Sequence, residues 1–303
     1  MRTVVTGLSV ALPGEDDPRT LLGPAPADPP PVDPTVLIGK KGLRFSDQAT
    51  RTGLHLAFAA LTDAGLLDGK EPVVPGERIG VVVSSNLGNA DTVCRAVATI
   101  AEETTAGLSP MDIPNASSNI IASETAIRYK LRGPNLTVCN GSTSGLDAVR
   151  WADLLLRSRR ADHVLVIGTE PDDPATRRLV GGPVVAGGAA LVLAREGEGS
   201  AAPRALLGRP VRAAGLAAAA DRLAEAAPGA RLWLTPDPSL VPAGAEHRCL
   251  ADRGESSGAL GVLQCAAAVG WFAEGRPGPV YALAGGGPDG AAALALTAPV
   301  RPA

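Results

Sequence analysis

The chain has 303 residues, enough for one large α/β domain or for two halves of about 150 residues each. Apolar residues make up 45% and charged residues 19%, which excludes a disordered chain. A net charge of −3 gives no electrostatic basis for binding nucleic acid or an anionic membrane surface.

In chain order, "RTVVTGLSVAL" reads as a first strand. A Pro-rich surface excursion over residues 24–34 follows, since "PAPADPPPVDP" supports no regular element. "FSDQATRTGLHLAFAALTDAGL" places Leu54, Ala57, Phe58, Leu61 and Ala64 at helical spacing and stops at Gly65. "RIGVVVSS" is a β-branched run of the kind buried on both faces of a sheet. "DTVCRAVATIAEE" and "NIIASETAIRYKL" read as helices, and "GPNLTVCN" as a strand. "TSGLDAVRWADLLLRS" is a helix with Leu146, Val149, Ala152 and Leu156 inward, and "ADHVLVIGTE" and "GGAALVLAR" complete a sheet. A shorter pattern of the same kind begins after "EGEGSAAP": helix "GLAAAADRLAEAA", strand "ARLWLTP", the apolar helix "SSGALGVLQCAAAVGWFAEG", and two strands around a glycine-rich loop. The alternation predicts a mostly parallel sheet and two like halves, 1–198 and a shortened 199–303.

The cysteines (Cys94, Cys139, Cys249, Cys265) are widely spaced, and no histidine (His55, His163, His247) stands near one at ligand spacing. Reduced cysteines, no metal and no cofactor are expected. The N-terminus lacks a leader-like apolar run and no stretch approaches the roughly 20 apolar residues of a membrane span, so a cytoplasmic protein is expected.

Five segments, in order, carry a family resemblance: "VVTGLSVALPG", "RIGVVVSSNLG", "SNIIASETAIRYKLRGPNLTV", the small-residue turn "CNGSTSG", and "GGAALVLARE". Together they resemble the β-ketoacyl synthases of fatty acid and polyketide assembly. The resemblance implies a thiolase-like α/β fold, with two duplicated βαβ-rich halves in alternating helix and sheet layers, in a two-fold dimer. In that family a cysteine at the turn takes the acyl chain. Its thiolate is stabilised at a helix N-terminus, and two histidines and a lysine serve the decarboxylation.

Here Ser142 stands at the cysteine position, with Cys139 three residues earlier on the strand. In "LADRGESSGALG" the lysine position is Leu250 and the second histidine position is Glu255. Thr235 is nearest to the first histidine position, His247 lies in the loop between these segments, and Gly285 replaces the gating phenylalanine. The resemblance therefore implies a chain length factor, the ketosynthase β subunit of a type II polyketide synthase. Such a subunit is non-catalytic, pairs with an active ketosynthase, shapes the acyl tunnel, and meets an acyl carrier protein through the complex. Glutamine is the familiar residue at its nucleophile position. With Ser142 and a short second half, a divergent branch serving reduced or polyene chains fits as well as the aromatic one.

"SPMDIPNASSN" aligns with the tunnel-lining segment, so Asp112, Ile113 and Ser117 are candidates to contact the chain. The plain alternative is a loop before a helix capped by Asn115 or Ser117. The strand with Leu136, Val138 and Cys139 would be a sheet edge at the dimer interface. Arg157, Arg159 and Arg160 read as a solvated helix end rather than a carrier-protein contact. The alternative function is a stand-alone acyltransferase using Ser142 as nucleophile, which needs an adjacent base that the sequence does not place. A decayed homodimeric synthase is a third reading.

Overall fold

The computed structural model describes residues 2–199 and 201–299; the outer ends of the two expected halves, at 1 and 300–303, lie outside them. Among the described residues the first half contributes β1 (Thr3–Ala11), the short helix α1 (Thr35–Ile38), α2 (Gln48–Asp63) and a small hairpin of β2 (Leu67–Asp68) and β3 (Glu71–Pro72). It continues with β4 (Ile79–Ser84), α3 (Ala90–Glu103), α4 (Ile120–Arg128), β5 (Asn135–Val138), α5 (Ser144–Arg157), β6 (His163–Glu170), α6 (Pro174–Val180) and β7 (Gly187–Arg195). The second contributes β8 (Ala205–Leu207), β9 (Val211–Ala213), α7 (Leu216–Ala226), β10 (Leu232–Leu234), β11 (Glu246–Arg248), α8 (Leu260–Ala273), β12 (Val280–Gly287) and β13 (Gly290–Thr297). Residues 24–34 form no regular element.

The strands join in the order β11-β10-β12-β13-β8-β1-β7-β6-β4-β5, with β9 on β13. On one side β5, β4 and β6 run parallel, and β7 and β1 turn antiparallel. On the other, β11, β10 and β12 run parallel, and β13 and β8 turn antiparallel. The two sides thus repeat one strand order outward from the antiparallel β1–β8 seam, where Thr3 pairs with Leu207. The sheet is mixed, not mostly parallel as expected from the alternation of elements. The links β6–β7 and β12–β13 lack a crossover helix long enough to return the chain parallel, and the second is a tight glycine hairpin.

Period-two alternation explains the layers. Val82, Val164 and Val166 face inward onto α5 and α8, while Val81, Val83, Leu165 and Ile167 face outward onto α2 and α4. Across the second half, Trp233, Tyr281, Leu283 and Ala293 face α7. The result is helix, sheet, helix, sheet, helix. Helix α8 lies in the middle layer with Leu260 through Phe272 all buried, which is why its sequence is apolar all round. Its one polar interior side chain, Gln264, donates to the carbonyls of Leu234 (3.0 Å) and Leu283 (2.8 Å). No helix among the described residues is long and apolar enough to cross a membrane.

Helices α5 and α8 touch glycine to glycine. A Cβ on Gly145 would lie 2.6 Å from the Gly261 nitrogen, and one on Gly261 would lie 2.3 Å from the Leu146 nitrogen. That close approach brings the two helix N-termini, and the turns before them, to one place at the end of the sheet.

Candidate functional site

After β5 the chain passes Cys139 and Asn140 and makes a 3-10 turn, Gly141–Thr143, directly into α5. Gly141 has φ +63°, a left-handed conformation that favours glycine. Ser142, in the middle of the turn, is exposed. The turn is held from below by a dense polar shell. Thr143 Oγ1 and Asn140 Nδ2 each donate to Asp147 Oδ2 at 2.8 Å, which also accepts from Arg212 at 3.1 Å. Asn86 Nδ2 donates to the Gly141 carbonyl (2.9 Å) and to Ser257 Oγ (2.6 Å), and its Oδ1 accepts from Ser144 Oγ at 2.9 Å.

Beneath Asn86 lies Glu170, only 1% exposed, at the end of β6. One carboxylate oxygen accepts from the backbone N–H groups of Asn86 (2.7 Å) and Gly258 (2.9 Å). The other accepts from Leu87 N–H (3.0 Å) and Ser85 Oγ (3.1 Å). Burial pushes this carboxyl up to about 7, while the four hydrogen bonds pull the other way. Neither Asn86 nor Glu170 was expected from the sequence. The available signal was a carboxylate ending "HVLVIGTE", a strand otherwise buried on both faces, where an ionisable group needs several donors.

The positions expected to carry the family's chemistry have other tasks. Glu255 is exposed, and its Oε1 accepts from Ser257 N–H at 2.6 Å, closing the turn ahead of α8. Leu250 is 6% exposed and packs into the central core, lining a small apolar pocket with Leu12, Leu21, Val185 and Leu263. Thr235 is buried just past β10, its hydroxyl accepting from Asp237 N–H at 3.2 Å. His247 is not in a loop, as expected, but in β11, paired in parallel register with Trp233. Its Nε2 lies 2.9 Å from the Thr235 carbonyl oxygen. The run Glu246–Arg248 is too short for a strand to be read there from local pattern.

Gly285 has φ +101°, and a Cβ there would lie 2.4 Å from the Gly290 carbonyl oxygen and 2.8 Å from Thr143 Cγ2. The β12–β13 hairpin is thus pressed onto the turn, leaving no room for a larger residue. Cys139 lies before the turn and not in it. Its thiol is at the strand end, 3.0 Å from the Ser85 carbonyl oxygen to which it donates. Partial burial pushes its pKa up, and the nearby Glu170 carboxylate adds to the rise.

Asp112, Ile113 and Ser117 all lie on the surface of the chain, with Asn115 buried between them and its Nδ2 bonded to the Phe45 carbonyl at 2.9 Å. Neither Asn115 nor Ser117 caps the next helix. Asn119 holds the N-cap position of α4, and Ser117 Oγ donates to its Oδ1 at 2.6 Å. Leu136 and Val138 are half-buried on β5, which ends the sheet. In the arginine run, Arg159 and Arg160 are exposed, but Arg157 is tied to the buried Asp153 at 2.6 Å. Among the described residues no three His, Cys, Asp or Glu side chains gather at metal-ligand distance.

Residues 31–179 match the family model "Beta-ketoacyl synthase, N-terminal domain". The 3-oxoacyl-[acyl-carrier-protein] synthase 2 of Coxiella burnetii is 28% identical over 138 residues, 46% of this chain and 33% of that protein. The ketoacyl synthase alpha subunit of the tetracenomycin polyketide synthase of Streptomyces glaucescens is 33% identical over 139 residues, 43% of this chain and 32% of its own. The matched segments thus span about a third of these relatives' lengths. Among solved structures, a chain of the ishigamide ketosynthase/chain length factor superposes with a TM-score of 0.81 at 23% identity, covering 99% of this chain and 100% of that one. A chain of AntDE:AntF, a type II polyketide synthase acyl-carrier protein in complex with its ketosynthase, gives 0.77 at 16%, covering 98% and 99%. Residues 31–179 are therefore similar to the β-ketoacyl synthase N-terminal domain, and the described residues have the thiolase-like α/β fold of the ketosynthases they superpose on.

Proposed function

We propose that this chain is a non-catalytic subunit of chain-length-factor type. It pairs with an active ketosynthase in a cytoplasmic type II polyketide assembly, one serving reduced or polyene chains included, and its surface completes the tunnel for the partner's acyl chain. The observation that carries this reading is the turn itself: its scaffold is fully hydrogen-bonded, yet it presents a serine hydroxyl with no histidine beside it among the described residues. The histidines are elsewhere, His55 in α2, His163 opening β6 and His247 bonded to the Thr235 carbonyl. Serine without a base is a poor nucleophile near neutral pH.

Surface features support a partner. Strand β5 has an unpaired edge, a liability that proteins normally cover. Helix α3 is amphipathic the wrong way round: only Thr92 is buried, while Val93, Val97 and Ile100 form an exposed stripe at i, i+4, i+7. Met111 and Ile113 extend that apolar surface, and Asp112 and Ser117 lie in the same exposed segment. In this reading the segment faces the partner's acyl chain, and an acyl carrier protein docks on the assembled pair.

The test is native mass spectrometry of the protein purified from its own host. A one-to-one complex with a cysteine-bearing ketosynthase, and no acyl mass on this chain, is the expected result. A monomer or homodimer carrying an acyl mass that disappears in Ser142→Ala would overturn it in favour of an acyltransferase.

A further inference from the structure

A cleft of about 290 Å³ opens between the outer face of α5 and the link from β8 to β9, lined by Arg150, Trp151, Asp153, Leu154, Arg157 and Arg209. This size is at the lower end of small-molecule sites. Its charge is unbalanced. Arg157 is held by Asp153, which is buried and also accepts from the Thr3 hydroxyl at 2.6 Å. Among the described residues neither Arg150 nor Arg209 has an acidic partner. Three guanidinium groups thus surround one carboxylate, on a chain whose net charge is negative.

The cleft also exposes apolar surface. Trp151 is 43% and Leu154 51% exposed, whereas Trp233 and Trp271 are 6% and 3% exposed. An indole open to solvent beside uncompensated guanidiniums offers two recognition elements at once, a flat apolar face and a planar fork of N–H donors. Arginine forks bind phosphate oxygens in pairs, and concave walls focus the cationic field. We propose that this cleft binds a phosphorylated small molecule whose phosphate sits between Arg150 and Arg209 and whose apolar or aromatic part lies on Trp151 and Leu154. The residues that line the cleft all belong to this chain.

Because the other two tryptophans are buried, Trp151 is the reporter. Intrinsic fluorescence of the full chain is titrated with ADP, with adenosine, with inorganic pyrophosphate and with 4′-phosphopantetheine. Saturable quenching is expected, with ADP or phosphopantetheine at least tenfold tighter than pyrophosphate, and adenosine weakest. Tighter ADP assigns the site to a free nucleotide; tighter phosphopantetheine assigns it to a carrier-borne arm. Both side chains are exposed, so Arg150→Ala and Arg209→Ala leave the fold intact, and each is expected to weaken binding roughly tenfold. Unchanged fluorescence with all four compounds overturns the proposal, as does binding that both variants retain at full strength.

Discussion

The two helix N-termini that meet at the end of the sheet are built alike and used differently. The turn Gly141–Thr143 leads into α5 (Ser144–Arg157), and the turn Ser257–Ala259 leads into α8 (Leu260–Ala273). Each turn has three residues and each helix fourteen. Both turns open on a positive φ, +63° at Gly141 and +34° at Ser257, and both helices have glycine at their second position. The difference lies in what surrounds them. The first turn presents Ser142 to solvent over a polar shell; the second is largely buried, its Gly258 N–H spent on Glu170. A Cβ on Gly258 would come within 2.7 Å of that carboxylate. One half keeps its turn as an open site, and the other makes its turn the floor of that site.

The sharpest way to break this arrangement is at the glycine contact. Gly261→Val drives a branched side chain into the backbone of Gly145 and Leu146 in α5, which cannot give way as a side chain could. A loss of about 4 kcal/mol or more in urea unfolding is expected, with much of the protein insoluble. A soluble variant of near-native stability would mean that the two turns are not locked together at this point.

Removing the carboxylate that joins the turns comes next. Glu170→Ala leaves three backbone N–H groups and the Ser85 hydroxyl without their acceptor in a buried site. The expected cost is about 3 kcal/mol, with faster amide exchange at Asn86, Leu87 and Gly258. Exchange unchanged at Gly258 would show that the second turn is held by packing alone.

The same carboxyl sets a pH dependence. Its native value is raised to about 7 from an ordinary 4.5, so between these values the folded state holds a proton that the unfolded state has released. Folding stability from this group is therefore greatest below about pH 4.5 and is lost as pH rises through 7. The full span corresponds to about 3 kcal/mol at most. Unfolding measured from about pH 4.5 to 8 in wild type and Glu170→Gln isolates the effect, because the slope due to this group vanishes in the variant. A wild-type curve parallel to that of the variant would assign the group an ordinary carboxylate value.

Much of this was legible in the sequence. The β-branched runs, the helix periods and the glycine stop at Gly65 identify the main elements, because each depends on residues close in the chain. Short strands escape a local reading: β8, β9 and β11 have three residues each and are strands only because neighbours distant in sequence pair with them. Strand direction is not legible for a related reason, since a hairpin and a crossover can start from the same two apolar runs. At the site, the turn was found from small residues in sequence, but its support was not. Asn86, Glu170, Ser257 and Arg212 come from four separate segments, and only the fold brings them together.

The smallest change is also the most direct probe of the open turn. Ser142→Cys alters one exposed atom and should shift stability by less than about 0.5 kcal/mol. Its effect on reactivity should be larger. The new thiol stands at the N-terminus of α5, where the helix dipole favours the thiolate. Cys139, only three residues earlier, has its thiolate disfavoured by partial burial and by Glu170. Alkylation by iodoacetamide near neutral pH should therefore mark the introduced thiol several-fold faster than Cys139, as read by peptide mass spectrometry. On the proposed non-catalytic reading condensation should still not appear, because that reading puts Leu250 and Glu255 where an active synthase has its lysine and histidine. Equal alkylation of the two thiols would mean that the turn carries no electrostatic bias toward a thiolate, and a gain of condensing activity would overturn the non-catalytic reading.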